Sequence, residues 1–300
     1  MLRRAKAKEQ HSVMRIHAIC LALNEELYIE TQLRTLYPFC SGISILSQYD
    51  RDWYGRPVRP DRTADKLLNF PDPEGKIHFV LRRWRDEAAA RNHEMLSLLA
   101  RPARRVQSHG SPPGEIRAFH TPPDYFLIVD ADEIYDVATL PAILAYLEQR
   151  RPRGMRVLGY NYARTWNQRV PPEVERFCHF GFLRPGVLFS YLRVVSWNES
   201  RLAKALRWLR LPDVSARLFG FIECPPEVGV FHHGWCLGDD ERLRLKRMRS
   251  SHRSDTWDPA YAAGVDALRT DFVPTSELPR NIREAIWPDG YFDQLPVAHS

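Results

Sequence analysis

The chain has 300 residues, of which 44% are hydrophobic and 27% are charged. This length and composition are typical of a globular protein with a substantial buried core, and they exclude an intrinsically disordered chain. The 43 Lys and Arg residues outnumber the 37 Asp and Glu residues and give a net charge of +6. That excess favours an anionic partner without identifying one.

No stretch reaches the roughly 18 consecutive apolar residues of a membrane-spanning helix, and the basic N-terminus leads into no apolar signal-peptide region. The five cysteines are scattered and never form a C-x-x-C pair, which argues against both a disulfide framework and a zinc finger. Together these features predict a cytoplasmic protein.

The first half of the chain alternates strands with helices. Residues 13–23 form a compact apolar run typical of a buried strand, and a helical pattern through Ile29, Leu33 and Leu36 follows. Further strands are predicted at 42–47, 76–81 and 124–129, further helices over 86–99 and from Leu140, and a polar loop over 48–65. This order predicts an α/β fold with an open, mostly parallel sheet flanked by helices, in which ligands bind beyond the carboxyl ends of the strands.

The second half changes character. Short aromatic-rich strands are predicted at 156–162, 177–182 and 187–195, followed by a basic helix and a strand over 228–231. We therefore expect a basic flexible tail at 1–12, an α/β half at 13–155, and a half at 156–300 that completes the site over the sheet edge within the same domain.

A cluster of carboxylates follows the most buried-looking strand. Asp130 and Asp132 are alternate residues at the strand end and can face one point, and Glu133 follows them directly. Carboxylates this close repel each other unless a cation neutralises them. Oxygen ligands of this type suit Mg²⁺ or Mn²⁺ bound together with substrate phosphates. The alternative is a solvated acidic turn at the start of a helix.

A second polar cluster lies about 100 residues further along the chain. His232 and His233 follow an apolar strand, and the imidazole of His233 can complete a Mn²⁺ site. The following helix carries six Lys and Arg residues between 242 and 253 and no acidic residue. Cationic donors beside a metal site are what a diphosphate leaving group needs, although such a run is also typical of a solvated helix face.

Taken together, these motifs resemble the nucleotide-sugar-dependent glycosyltransferases of the GT-A fold, above all bacterial family-2 enzymes, with some similarity to family 17. The matching stretches, in chain order, are Asn24-Glu25-Glu26, Ala89-Ala90-Arg91-Asn92, Asp130-Ala131-Asp132-Glu133, and His232-His233-Gly234-Trp235 with the helix after it. The resemblance covers residues 14–253 and rests on the order and spacing of the four stretches.

The resemblance implies roles for individual residues. Asp130 and Asp132 would hold a divalent cation, Mn²⁺ or Mg²⁺, and the diphosphate of the donor, with Asp132 the more direct ligand. The remaining donor contacts would come from six further residues: Asn24 and Glu25 at the nucleoside, Asp50 at the base or ribose, and Arg91, Lys246 and His252 around the nucleotide and its phosphates. The family's usual Asp-Asp-Gly-Ser after the second strand is replaced here by residues 48–52, which leaves the nucleotide base open.

The general base is not fixed by the resemblance, because the chain lacks the Glu-Asp pair that supplies it in many inverting members. Glu199 and Asp240 are the candidates, since an inverting transfer needs a carboxylate within hydrogen-bond reach of the acceptor hydroxyl. The implied activity is metal-dependent transfer of a hexose from a nucleoside-diphosphate sugar to a glycan, lipid-linked or surface-polysaccharide acceptor, in polysaccharide biosynthesis. Residues 13–155 would bind the donor, and residues 156–300 would bind the acceptor.

Two other functions are compatible with the residues. A nucleotidyl or phosphoryl transferase can use the same carboxylate–metal site, although the chain has no Gly-Lys-Ser/Thr phosphate loop. A non-catalytic module could bind a polyanion or an anionic membrane, because residues 201–210 carry a basic stripe opposite leucines. This helix predicts peripheral contact with the inner face of the membrane. No nucleic-acid-binding signature accompanies the charge, so nucleic acid is not an expected partner.

Overall fold

A computed structural model describes residues 14–48, 50–53, 55, 57–100, 122–163, 168–169, 177–191, 194–195, 220–224, 229–235 and 271–278. Within these ranges, only the backbone is described for residues 161, 163, 168, 177–179, 191, 194–195, 229–235 and 275.

The described residues form four α-helices, thirteen strands and one short 3-10 helix, Thr275–Glu277. The helices are α1 Ile29–Leu36, α2 Thr63–Asn69, α3 Glu87–Ala100 and α4 Leu140–Arg150. The strands of the first half are β1 Ile16–Leu21, β2 Gly42–Ser47, β3 Ile77–Leu81, β4 Tyr125–Asp130 and β5 Glu133–Tyr135. Those of the second half are β6 Gly154–Ala163, β7 Gln168–Arg169, β8 Phe177–Leu183, β9 Phe189–Tyr191, β10 Val194–Val195, β11 Phe221–Glu223, β12 Gly229–Trp235 and β13 Asp271–Phe272.

The first half builds a parallel sheet in the order β4-β1-β2-β3. All residues of β1 and β2 are buried, as are those of β4 up to Val129, and apart from His17, Ser44 and Ser47 these runs are largely apolar. The chain proceeds from β1 to β2 and β3 on one side and then returns to β4 on the other side of β1. This reversal of direction places a crevice between β1 and β4 at their carboxyl ends, the position at which open α/β sheets bind ligands.

The second half extends the same sheet. β8 pairs antiparallel with β4, and β6 then pairs with β8. On its other side β6 pairs in parallel with β11 and β12, while β12 also pairs antiparallel with β5. The predicted α/β class and the parallel sheet of the first half are confirmed, and the second half continues that sheet with strands of both directions.

Helices cover the two faces of the sheet. Along β1, Ala18 and Cys20 pack with α1 and α4, while Ile19 and Leu21 pack with α3 on the opposite face. This alternation is the two-residue period of a strand that is buried on both sides. The two cores fix the positions of α1 and α3, the helices that flank the crevice.

Several elements differ from the sequence prediction. Helix α2 was not predicted, because its seven residues bury little more than Thr63 and Leu67. The short strands β5, β7, β11 and β13 have two or three residues each, too few to show a period. Strand β12 continues to Trp235, so the two histidines lie within the strand rather than after it.

The predicted basic helices at 201–210 and after Asp239 lie outside the described residues. Among the helices that the structure describes, none is both long and apolar enough to cross a membrane.

Candidate functional site

The candidate site lies at the crevice between the carboxyl ends of β1 and β4. Leu21 and Asp130 are register partners at the ends of these two strands. The backbone N–H of Ala131 donates to the carbonyl oxygen of Leu21 at 3.0 Å, which carries the chain from β4 across the end of β1. We call residues 130–133 the carboxylate turn, because three of its four side chains are Asp130, Asp132 and Glu133.

Arg91 lies beneath the carboxylate turn and contacts Asp130. Its side chain is completely buried, and one guanidinium nitrogen lies 2.9 Å from Oδ1 of Asp130. Another lies 3.1 Å from Oε2 of Glu87, one helical turn earlier on α3. Arg91 is thus buried and shared between two carboxylates, and it supports Asp130.

The start of α3 fixes the position of Arg91. Oδ1 of Asp86 accepts the backbone N–H of Ala89 at 2.7 Å, which satisfies an N–H that has no partner within the helix. Burial alone raises the pKa of Asp86, but hydrogen bonds from the Ala89 amide and from Arg85, together with the charge of Arg85, outweigh burial and lower the pKa. The capping carboxylate is therefore ionised at neutral pH and favourable at a helix N-terminus.

Asn92, the next residue of α3 after Arg91, joins α3 to the second half of the chain. Its side-chain amide donates to the carbonyl oxygen of Phe189 at 2.7 Å and accepts the N–H of Phe189 at 2.8 Å. The guanidinium of Arg91 lies 5.9 Å from the centre of the Phe189 ring. Residues 89–92 thus contact Asp130 through Arg91 and the backbone of β9 through Asn92.

Within the carboxylate turn, the side chain of Glu133 forms a hydrogen bond with the backbone of Asp130. Its Oε2 accepts the N–H of Asp130 at 2.9 Å, and the residue is only 2% exposed. Asp132 is also buried, with 5% exposure, whereas the Asp130 side chain is 32% exposed. Buried carboxylates carry a large desolvation cost, which makes this turn unlike an ordinary acidic surface loop.

Gln32 is a residue of this site that the sequence analysis missed. It is 0% exposed, and its Nε2 donates to the carbonyl oxygens of Asp130 at 2.8 Å and Glu133 at 2.6 Å. The signal was present in the sequence, because Gln32 lies on the same helical stripe as Ile29, Leu33 and Leu36. A polar residue at a core-facing position needs a buried partner.

The carboxylates near the end of β1 affect the pKa of the Cys20 thiol. Burial raises its pKa well above the ordinary value for cysteine, and the nearby charges of Asp130, Glu133, Asp132 and Glu25 raise it further. Four carboxylates therefore act on one point at the end of β1. The thiol itself is neutral and is a poor nucleophile in this environment.

Asn24 and Glu25 follow β1 at the crevice. Asn24 adopts a left-handed conformation with φ of 58°. Its side-chain amide donates to the carbonyl oxygen of Arg59 at 2.9 Å and accepts the N–H of Asp61 at 3.3 Å. The Glu25 N–H donates to Oγ1 of Thr63 at 2.7 Å. These bonds fix the loop after β1 to the segment that leads into α2.

Asp50 lies beyond the carboxyl end of β2. It forms a salt bridge of 3.1 Å with Arg83, and both side chains are more than half exposed, at 52% for Asp50 and 68% for Arg83. This pair is exposed to solvent. It lies at the end of β2, two strands along the sheet from β4, which carries the carboxylate turn.

The backbone of the predicted histidine segment lies beside the carboxylate turn. His232 pairs with Glu133 on one side and with Asn161 on the other, and the register shifts between His232 and Trp235, around His233. Four further candidates, Glu199, Asp240, Lys246 and His252, lie outside the described residues.

Among the residues with described side chains, no group of three or more His, Cys, Asp and Glu residues is arranged to hold a metal ion. The carboxylate turn nevertheless fits the chemistry of Mg²⁺ or Mn²⁺. Such ions are commonly bound through one or two carboxylates, with substrate phosphates and water completing the coordination. Asp130 and Asp132 match that partial set, in a cluster with a clear excess of negative charge.

No protein-family model and no curated protein matches this chain. Solved structures of Staphylococcus aureus TarS are similar in part. The structure of TarS 1-349 is 12% identical, with a TM-score of 0.38 over 84% of this chain and 69% of that one. Its complex with UDP is 10% identical, with a TM-score of 0.40 over 84% of this chain and 69% of that one. Its complex with UDP-GlcNAc is also 10% identical, with a TM-score of 0.38 over 95% of this chain and 77% of that one. Similarity at this level does not establish a shared activity.

Proposed function

We propose that the protein is a glycosyltransferase that moves a sugar from a nucleoside-diphosphate donor to a hydroxyl of a glycan or lipid-linked acceptor, with Mn²⁺ or Mg²⁺ as cofactor. One observation carries the proposal: a turn with buried carboxylates lies at the crevice between β1 and β4, where the strand order reverses. Buried carboxylates are costly unless hydrogen bonds and positive charges compensate them. A divalent cation bound at the turn would add positive charge to that of Arg91, which already pairs with Asp130.

The residues of the turn have separable roles in this proposal. Asp132 would be the direct ligand of the cation, and Asp130 would be a second ligand, held in position by Arg91 at 2.9 Å. When bound, the cation acts as a Lewis acid for the departing diphosphate oxygen. Glu133 keeps the turn closed through its bond to the Asp130 N–H. His233 would be a further ligand, because its neighbour His232 is the register partner of Glu133.

The nucleoside would extend from the turn across the ends of β1 and β2. Glu25 and Asn24 follow β1, and Asp50 follows β2, so all three occupy the same edge of the sheet. The Asp50–Arg83 salt bridge is exposed, and a ribose or base would compete for it at little cost, because exposed ion pairs contribute about 0–1 kcal/mol. Glu199 or Asp240 would act as the general base, and Lys246 and His252 would contact the phosphates.

Product analysis tests this function. The protein is incubated with Mn²⁺ and a panel of UDP- and GDP-sugars, and the nucleotide products are separated by chromatography. We expect release of the nucleoside diphosphate from at least one sugar nucleotide, even without acceptor, through slow transfer to water. A parallel reaction with nucleoside triphosphates and sugar phosphates tests nucleotidyl transfer. Pyrophosphate release there, with no nucleoside diphosphate from the sugar nucleotides, would overturn the proposal.

A further inference from the structure

Gln32 connects helix α1 to the carboxylate turn. It belongs to the buried face of α1, where its neighbours Ile29, Leu33 and Leu36 are all 0% exposed. A single carboxamide nitrogen carries two hydrogens, and Nε2 of Gln32 uses them on two carbonyl oxygens, those of Asp130 at 2.8 Å and Glu133 at 2.6 Å. These are the first and last residues of the turn.

The two carbonyl oxygens also settle the orientation of the amide. A flipped Gln32 would point its own oxygen at two acceptors, so the nitrogen must face the turn. Oε1 then faces away from the turn, and it is buried without a hydrogen-bond partner among the described residues. An unmade bond of this kind destabilises the folded protein. The chain thus keeps a polar residue in its core at a cost, which indicates that the two donated bonds matter.

Other contacts also attach the turn to the fold: Arg91 pairs with Asp130, and the backbone of Glu133 pairs with His232 on β12. The Ala131 N–H donates to the Leu21 carbonyl oxygen, and the Asp130 N–H donates to Glu133 within the turn itself. Gln32 adds an attachment from a different element, and it bridges the two ends of the turn. Its loss would leave the Asp130 and Glu133 carbonyls without this bridge and would loosen the backbone on either side of Asp132.

We propose that Gln32 is a positioning residue, whose two hydrogen bonds hold the carboxylate turn in the geometry that binds a divalent cation together with a diphosphate. Gln32 does not contact the ligand, and the inference rests on the proposed function. Partners that orient metal ligands typically contribute about 10–100-fold to metal affinity. An effect of that size is expected here on cation-dependent nucleotide binding.

The test compares wild type with Gln32→Met, which keeps the length of the side chain and removes both donors. Gln149→Met, at an exposed glutamine of α4, is the matched control. Calorimetry with UDP and GDP is performed with Mn²⁺ and with EDTA. We expect Gln32→Met to weaken Mn²⁺-dependent nucleotide binding by about tenfold or more and to leave binding in EDTA unchanged. Gln149→Met should bind nucleotide as wild type does under both conditions.

Hydrogen exchange of the ligand-free proteins provides a readout that does not depend on the proposed function. The amides of Ala131 and Asp132 should exchange faster in Gln32→Met, with no change in the strands β1 and β2. If wild type shows no Mn²⁺-dependent nucleotide binding, the proposed function fails, and the exchange at these two amides still decides the role of Gln32. Unchanged exchange there would overturn the inference.

A merely structural role is also distinguishable. In that case Gln32→Met would lower the free energy of unfolding, but the folded fraction would bind UDP or GDP with Mn²⁺ as wild type does, which contradicts the proposal. If Gln32→Met does not fold, Gln32→Asn replaces it, because asparagine keeps a buried amide but is one methylene too short to reach both carbonyls. Weakened Mn²⁺-dependent binding by Gln32→Asn supports the proposal, and wild-type binding overturns it.

Discussion

Replacing Asp132 with asparagine should lower sugar-nucleotide turnover by about two to four orders of magnitude. Asparagine has nearly the same shape, so the buried turn should still fold around it. The substitution removes the negatively charged carboxylate that we propose as the direct ligand of the cation. Loss of several kcal/mol of electrostatic stabilisation, at about 1.4 kcal/mol for each tenfold change in rate, gives the expected size. The measurement is nucleoside-diphosphate release with saturating Mn²⁺.

The matched control for Asp132→Asn is Glu148→Gln, which makes the same acid-to-amide change at an exposed position of α4. It should leave turnover within about twofold of wild type, because exposed substitutions away from a site have small effects. Equal turnover by wild type and Asp132→Asn would remove the carboxylate turn from the mechanism. Loss of folding, checked by circular dichroism, is excluded before the rates are compared.

Replacing Arg91 with methionine should destabilise the protein by about 3 kcal/mol, measured as the free energy of unfolding in urea. Methionine fills much of the space of the arginine stem but leaves Asp130 and Glu87 without the guanidinium. Breaking a buried ion pair costs about 3–5 kcal/mol. The lower end of that range applies because the Asp130 side chain is 32% exposed and regains contact with water.

Arg85→Met is the comparison for Arg91→Met. Arg85 also pairs with an aspartate, Asp86 at 2.7 Å, but its side chain is 81% exposed. An exposed pair contributes at most about 1 kcal/mol, so Arg85→Met should be clearly more stable than Arg91→Met. Equal free energies of unfolding for the two variants would show that the buried ion pairs of Arg91 stabilise the protein no more than the exposed pair of Arg85. Because Arg91 also orients Asp130, donor turnover by the folded Arg91→Met protein should fall as well.

The parallel half of the fold was predictable because its strands are strongly patterned. β1, β2 and β4 are buried, largely apolar runs with polar residues at or shortly after their ends, and the spacing between them accommodates helices. The position of Asp130 at the end of β4 followed directly from that pattern. The short strand β5 and helix α2 were missed, since a few residues carry no period and their formation depends on tertiary pairing.

The support of the site could not be predicted from local sequence. Gln32 and Asp130 are separated by 98 positions in the chain, and Arg91 and Asp130 by 39. The resemblance placed Arg91 among the donor-binding residues, and no local pattern shows that its side chain is completely buried between two carboxylates. Likewise, the amide of Asn24 is engaged by backbone groups of residues 59 and 61, contacts that only the folded loop creates.

The most direct measurement of the central claim is calorimetric titration of UDP and GDP into the wild-type protein, once with Mn²⁺ and once with EDTA. If the carboxylate turn binds a cation with a diphosphate, at least one of these nucleotides should bind about tenfold or more tightly with Mn²⁺, equivalent to about 1.4 kcal/mol. Asp132→Asn should abolish that increment. Binding of neither nucleotide, or equal affinity with Mn²⁺ and with EDTA, would contradict the account.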